Sequence, residues 1–411
     1  MTIFIENALM PSGKKASILI EGNKIEAINP KEKDKGDVVI DAKGKAVMPG
    51  LFNMHTHAAM ILLKGYADDY ELHEWLTNHI FPVEAKLRSR DVYYGTLLAC
   101  IEMIHSGTTC FNDMYFFEEE IARAVEKSGM RAVVSKALSA QSYKRAEAKK
   151  AMKKLSGFER VIPALGPHAI YTTDEETLCD VKELASELNV LIHFHLSETK
   201  KEVEDCLKEH GKRPAEYLAD IGFLDGKLIN AHCVWLNRKE MKLLARSDAK
   251  VVSCPTSNLK LASGIAPLKE IIKAGITTTL GTDGSASNNS LNMFETIKLA
   301  SLLQKYKHFD ATALPAKQAF ELATINAAKA LNLKAGAIKE GFLADLCLID
   351  LKHITMVPNH NLISNIVFSA EPACIDTVIC DGKIIMENKV IEWEEDVKEK
   401  AQRIAEELVS A

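Results

Sequence analysis

The 411-residue chain has no apolar run near the roughly 18 residues that a bilayer-spanning helix requires, and residues 1–7 carry no basic stretch leading into an apolar one. Membrane insertion and export are therefore not expected, and a cytoplasmic protein is. Paired cysteines are also missing. The nine (Cys100, Cys110, Cys179, Cys206, Cys233, Cys254, Cys347, Cys374 and Cys380) stand singly, without the spacing of a zinc knuckle or a disulfide framework. They read as small buried hydrophobes in a reducing compartment. An excess of positive charge is lacking too: the formal net charge is -5, and the densest basic run, residues 144–154, mixes Glu and Ala at helical spacing as a solvated helix face does. No footprint for nucleic acid or anionic lipid results.

What is present is globular. Hydrophobic residues make up 47% and charged residues 26% of the chain, close to the average for folded soluble proteins. The length exceeds one ordinary core but suits a barrel of about 250 residues with a smaller second domain. The first 48 residues alternate as strands do, at 3–8, 17–21, 24–27 and 38–41, with Gly22-Asn23 as a tight hairpin signal. The tail repeats the style at 346–351, 377–380 and 383–387, around Asp381-Gly382. Neither end alone supplies a stable sheet, so the two termini are expected to combine into one small β-sandwich domain. The expected division is 1–48, 49–340 and 341–411. Val397, Ala401, Ile404 and Leu408 fall at helical spacing and predict a C-terminal amphipathic helix.

Between the ends, short apolar strands alternate with helix-length segments, the pattern of parallel α/β structure. Candidate strands lie at 50–57, 108–113, 132–138, 161–168, 190–198, 228–232, 250–254 and 277–283. Eight strands close a (β/α)8 TIM-like barrel. An open doubly wound sheet is the alternative, but the Gly-rich phosphate turn usual after its first strand is absent.

The polar residues fall at the C-terminal ends of these strands: His55 and His57 on the first, His168 on the fourth, His195 and Glu198 on the fifth, His232 on the sixth, Asp283 on the eighth. In a barrel those ends converge on one mouth, where active sites are built. His55-Thr56-His57 sends two imidazoles to one strand face. Joined by His195, His232 and Asp283, they suggest a site for one divalent ion, zinc foremost and iron as the other candidate. The plain alternative for any single one is a hydrogen-bonded interior histidine. His193 and His195 share a face, and spacing alone does not separate them; His195, nearer the mouth, is preferred. His73, His79, His105, His210, His308, His353 and His360 lie in helix or loop contexts and read as surface or packing residues. Such an ion makes hydroxide available near neutral pH. Attack on an amidine-like ring carbon also needs an acid, for which Glu198 is the candidate. Asp283 would bind the ion and accept the water proton, and His232 would orient the hydroxide or stabilise developing charge.

Residues 49–57 (Pro-Gly-Leu-Phe-Asn-Met-His-Thr-His), 195–199 (His-Leu-Ser-Glu-Thr), 231–234 (Ala-His-Cys-Val) and 281–289 (Gly-Thr-Asp-Gly-Ser-Ala-Ser-Asn-Asn) resemble motifs of the amidohydrolase superfamily, in the correct order and across almost the whole chain. Within it the chain looks like the 5-methylthioadenosine/S-adenosylhomocysteine and 5′-deoxyadenosine deaminase branch. The resemblance implies one metal held by His55, His57, His195 and Asp283, with Glu198 and His232 completing the catalytic group. It also implies that Glu84 reads the ribose, that His168 contacts the purine and that Trp75 walls the 5′ side. Relatives that use S-adenosylhomocysteine carry an arginine after the third strand that meets the amino acid carboxylate. Arg145 lies close to that position, but the glycines expected around it are missing.

The expected partner is thus a small nucleoside, with no nucleic acid or membrane, in a homo-oligomeric protein. The main rival is another mononuclear reaction of the same superfamily, such as guanine or cytosine deamination or triazine hydrolysis. A non-catalytic metal protein has no need of Glu198. A binuclear site would call for a bridging lysine on the fourth strand, where residues 161–166 have none.

Overall fold

The computed structural model describes residues 1–30 and 36–410. Eight parallel strands follow one another around a nearly closed barrel: β1 (Leu51–Thr56), β2 (Thr108–Tyr115), β3 (Arg131–Leu138), β4 (Val161–Pro167), β5 (Leu191–Leu196), β6 (Leu228–His232), β7 (Lys250–Ser253) and β8 (Thr278–Leu280). Each pairs in parallel with the next from β1 to β8. Helices between them cover the outside, as the right-handed crossover of parallel strands requires. All eight expected strands are present, with ends that differ by a few residues.

The seam between β8 and β1 is closed differently. Gly281 presses so close to β1 that a Cβ there would stand 2.6 Å from the backbone nitrogen of His55. Beyond it the Asp283 N–H donates to the His55 carbonyl at 2.9 Å, and the Thr282 N–H donates to the Asn53 side chain, also at 2.9 Å. A side-chain amide thus takes one rung of the ladder.

Inside the barrel Phe52, Cys110, Val133, Ala164, Ile229 and Val252, one from each of six strands, pack with Ala327, Ala328 and Leu331. The helix Ile325–Ala330 contributes two of the latter and plugs the floor. The N-terminal halves of the strands are therefore filled with hydrocarbon, and only their C-terminal ends are free to carry polar groups.

Strands from both termini form a second sheet of eight, in the order Lys383–Met386, Ile375–Cys380, Leu346–Asp350, Lys45–Pro49, Thr2–Leu9, Lys15–Glu21, Lys24–Ile28, with Val38–Asp41 also pairing with Thr2–Leu9. It folds over its own core, which includes Ile3, Ile18, Ile25, Ile40, Leu348 and Ile379. The two hairpin turns foreseen in the sequence meet here: the Asn23 side chain donates to Asp381 at 3.2 Å, and Gly22 and Gly382, both with positive φ, lie in backbone contact. The strand Lys45–Pro49 was not anticipated. It pairs antiparallel with Leu346–Asp350, a partner that local pattern cannot reveal.

The final helix, Glu394–Ser410, buries Val397, Ala401, Ile404 and Leu408 as its spacing predicts. It packs on the barrel helix Ser89–His105, where His105 Nε2 meets Glu394 at 2.7 Å. No helix among the described residues is long and apolar enough to cross a membrane.

Candidate active site

The ends of β5, β6 and β8 turn abruptly, and the chain takes left-handed conformations at residues other than glycine: Ser197 (φ 50°), His232 (69°), Cys233 (52°) and Asp283 (68°). Such conformations are costly for residues with a Cβ and gather at functional sites. Their effect here is to tip Glu198, His232 and Asp283 into the mouth of the barrel, where all three line one cavity.

The imidazoles explain the mouth. His57 Nδ1 lies 2.6 Å from the Met114 carbonyl, and His195 Nδ1 lies 2.7 Å from the His168 carbonyl. A carbonyl only accepts, so each Nδ1 carries the hydrogen and, in a neutral ring, each Nε2 is a bare lone pair. Those two lone pairs face each other at 3.3 Å. Oδ1 of Asp283 stands 3.4 Å from His57 Nε2 and 3.4 Å from His55 Nε2. His55 Nε2 is buried with no hydrogen-bond partner. The two Nε2 lone pairs and the Asp283 carboxylate oxygen converge with His55 Nε2 on one point, an arrangement that a cation would stabilise. The donor set of imidazole nitrogens and one carboxylate, each oriented by a further hydrogen bond, fits one divalent metal ion.

Ligating atoms of His55, His57 and His195 all lie within 4.8 Å of one another, as do those of His55, His232 and Asp283. The other groups are held in place as well. Asp283 accepts from the Ser257 hydroxyl at 2.6 Å and from the Gly284 N–H at 2.8 Å. His193 sits one layer deeper, its Nε2 2.8 Å from His55 Nδ1, so it braces the first histidine from behind.

Glu198 and His232 stand across from this cluster, with Glu198 Oε2 3.8 Å from His232 Nε2. Burial pushes the Glu198 carboxyl above its usual range, against the pull of His232. Burial works against charge on His232, but the carboxylates of Glu198 and Asp283 hold its pKa above the ordinary imidazole value, helped by Asn258, whose side-chain oxygen lies 2.9 Å from His232 Nδ1. A carboxyl that keeps its proton longer than usual beside an imidazole that keeps its own is suited to delivering protons.

The cavity measures about 700 Å³ including its open mouth. Of the remaining residues singled out in the sequence, Glu84, His168 and Trp75 line it. Glu84 is buried and accepts from the Tyr115 hydroxyl at 2.5 Å; burial raises its pKa while that bond lowers it. His168 is shifted down to about 3, chiefly by burial, and stays neutral with its Nδ1 3.0 Å from the Thr172 hydroxyl oxygen. The Trp75 indole donates to the Ala67 carbonyl at 2.8 Å. Arg145 is elsewhere: its guanidinium is bound to Asp180, to Glu187 at 2.9 Å and to Glu183 at 3.3 Å on the neighbouring helix Glu175–Leu188, and it does not line the cavity. A group already facing three carboxylates on an outer helix is not free to meet a substrate in the mouth.

Sequence reasoning passed over several residues at the site. Tyr115 and Met114 end β2, and Asp113 accepts there from the Thr56 hydroxyl at 2.7 Å and the Ala58 N–H at 2.6 Å. The signal was available, since these are further side chains at a strand's C-terminal end. Tyr171, Ser257 and Asn258 lie in short helices whose pattern carries no such signal.

The profile of the Amidohydrolase family matches residues 46–385. A 5-methylthioadenosine/S-adenosylhomocysteine deaminase of Archaeoglobus fulgidus is 48% identical, with 100% of both chains covered. A 5′-deoxyadenosine deaminase of Methanocaldococcus jannaschii is 47% identical over 99% of this chain and 100% of its own. Among solved structures, an adenosine deaminase from Xanthomonas campestris with bound zinc superposes with a TM-score of 0.95 at 31% identity, covering 100% of this chain and 99% of that one. With a family profile that takes in the whole barrel, and with relatives this similar from end to end, the chain belongs to the Amidohydrolase family.

Proposed function

We propose that the protein is a hydrolytic deaminase that replaces the amine of the adenine ring in a 5′-modified adenosine with oxygen from water and releases ammonia. The candidate substrates are 5′-deoxyadenosine, 5-methylthioadenosine, S-adenosylhomocysteine and adenosine, in keeping with the activities named for the relatives. The observation that carries the reading is the meeting of two bare imidazole nitrogens at 3.3 Å beside the Asp283 carboxylate.

In this reading His55, His57, His195 and Asp283 hold one divalent metal ion, zinc, with iron as the other candidate. When bound, that ion supplies an acidified water at neutral pH. Glu198 carries a proton to the ring nitrogen beside the carbon under attack, which turns the amidine into a better acceptor. It is a buried carboxyl that faces both His232 and the cavity, and burial raises its pKa. His232 steadies the charge that develops opposite, and Asp283 takes the water proton and passes it towards the departing amine. Glu84, with one oxygen fixed by Tyr115, accepts from the ribose hydroxyls. His168, neutral, faces the purine, and Trp75 closes the 5′ side of the pocket.

The test is a substrate panel of 5′-modified adenosines, adenine, guanine, cytosine and a chlorotriazine, each incubated with the metal-replete protein. The ultraviolet shift from adenine to hypoxanthine is expected with the nucleosides and only weakly with free adenine. Faster turnover of guanine, cytosine or the triazine would replace this reading with its rival.

A further inference from the structure

Between His195 and Glu198 the chain must leave β5, reverse its twist and enter the helix Lys200–His210. It does so through Ser197 at φ 50°, a left-handed position filled by a residue with a Cβ. Nothing in Leu196-Ser197-Glu198 favours that turn locally, so something outside must hold it.

The holder is Glu202. It is the third residue of the helix, a position from which a glutamate commonly reaches back to the N-cap N–H. Thr199 is the N-cap, its hydroxyl accepting from the Glu202 N–H at 3.1 Å. The Glu202 side chain passes beyond it. One carboxylate oxygen accepts from the Ser197 N–H at 2.7 Å and the other from the Glu198 N–H at 2.7 Å. Burial pushes the Glu202 carboxyl up to about 7 while these two bonds pull it down, and bonds of this length, made in pairs and out of water, hold a side chain rigidly. On the opposite side the Ser197 carbonyl accepts from the Trp235 N–H at 3.0 Å, and the Leu196 carbonyl from the Cys233 N–H at 2.9 Å, tying the same turn to the end of β6. Glu202 itself is buried and does not line the cavity.

We infer that Glu202 is a positioning residue for Glu198: its carboxylate bridges the two N–H groups of the left-handed turn and so fixes the direction in which the proposed acid enters the mouth. This rests on the assignment of Glu198 above. It implies that Glu202 acts on the chemical step and leaves substrate binding and the proposed metal site intact.

The substitution E202Q keeps the shape but turns one acceptor into a donor facing an N–H. Turnover is expected to fall about tenfold or more, as displacement of a reacting group commonly causes, with KM and metal content unchanged. Glycine tolerates the left-handed position without strain, so the penalty of E202Q should be several-fold smaller in an S197G background than in the parent, a coupling that a double-mutant cycle measures. Hydrogen exchange of the Ser197 and Glu198 amides, which needs no activity, should accelerate in E202Q. E202D, too short to span both amides, serves if E202Q does not fold, and should behave alike. Unchanged exchange and turnover, equal penalties in both backgrounds, or a loss explained by a raised KM or lost metal would each overturn the inference. Protected amides in a parent protein that deaminates nothing would instead count against the proposed function and leave the clamp standing.

Discussion

The two ends of the same eight strands differ in almost every physical respect. At the floor, Phe52, Val133, Ile229 and Val252 meet Ala327 and Leu331 with no polar atom among their side chains. At the rim, a few residues further along the same strands, His55, His57, His195, His232, Glu198 and Asp283 are crowded together, all but His57 buried, and His55 Nε2 lacks a hydrogen-bond partner. The floor follows ordinary packing physics and stabilises the fold. The rim violates it, with left-handed backbone at Ser197, His232 and Asp283 and with converging lone pairs. A barrel tolerates such a rim because its stability is generated elsewhere.

That contrast can be tested by damaging each end separately. The largest change in stability is expected from the floor: Phe52→Ala empties a fully buried site and should cost about 3–5 kcal/mol. Denaturant unfolding would register it, while turnover per folded molecule stays close to that of the parent. A loss of turnover in the folded fraction would show that floor and rim are not separable. Next in size, Glu198→Gln should lower kcat by about two orders of magnitude or more, equivalent to about 2.7 kcal/mol of barrier. Metal content and the unfolding midpoint should hold; ammonia release at the parent rate would remove Glu198 from the mechanism. The smallest effect belongs to neither end. Arg145→Ala, on the outer helix, should change the ratio of rates on 5′-deoxyadenosine and S-adenosylhomocysteine by less than about twofold, since only transition-state contacts that differ between two substrates alter that ratio. A larger change, seen in competition assays, would put Arg145 back at the substrate.

The same contrast accounts for what the sequence revealed. The floor was legible because hydrophobic strands at regular spacing announce themselves, and the rim was legible wherever a polar residue interrupted the end of such a strand, as at His55, His195, His232 and Asp283. Less legible were the groups that orient them. The Met114 carbonyl behind His57, the His168 carbonyl behind His195 and the Glu202 carboxylate under Ser197 act through distances that no local pattern encodes. His193 was separated from His195 only by depth, and the structure gives the reason: the deeper ring spends its Nε2 on His55. Arg145 misled because its place in the chain suggests the mouth, whereas the helix that begins there turns the guanidinium outward to Asp180.

Lone pairs brought together at the rim should share one cation. Elemental analysis of the protein purified from zinc-replete medium, beside a His57→Ala variant that remains folded, puts it to the most direct test. About one tightly held metal ion per parent chain is expected, and its loss from the variant. A parent protein that turns over substrate without metal, or a variant that retains the full complement, would contradict it.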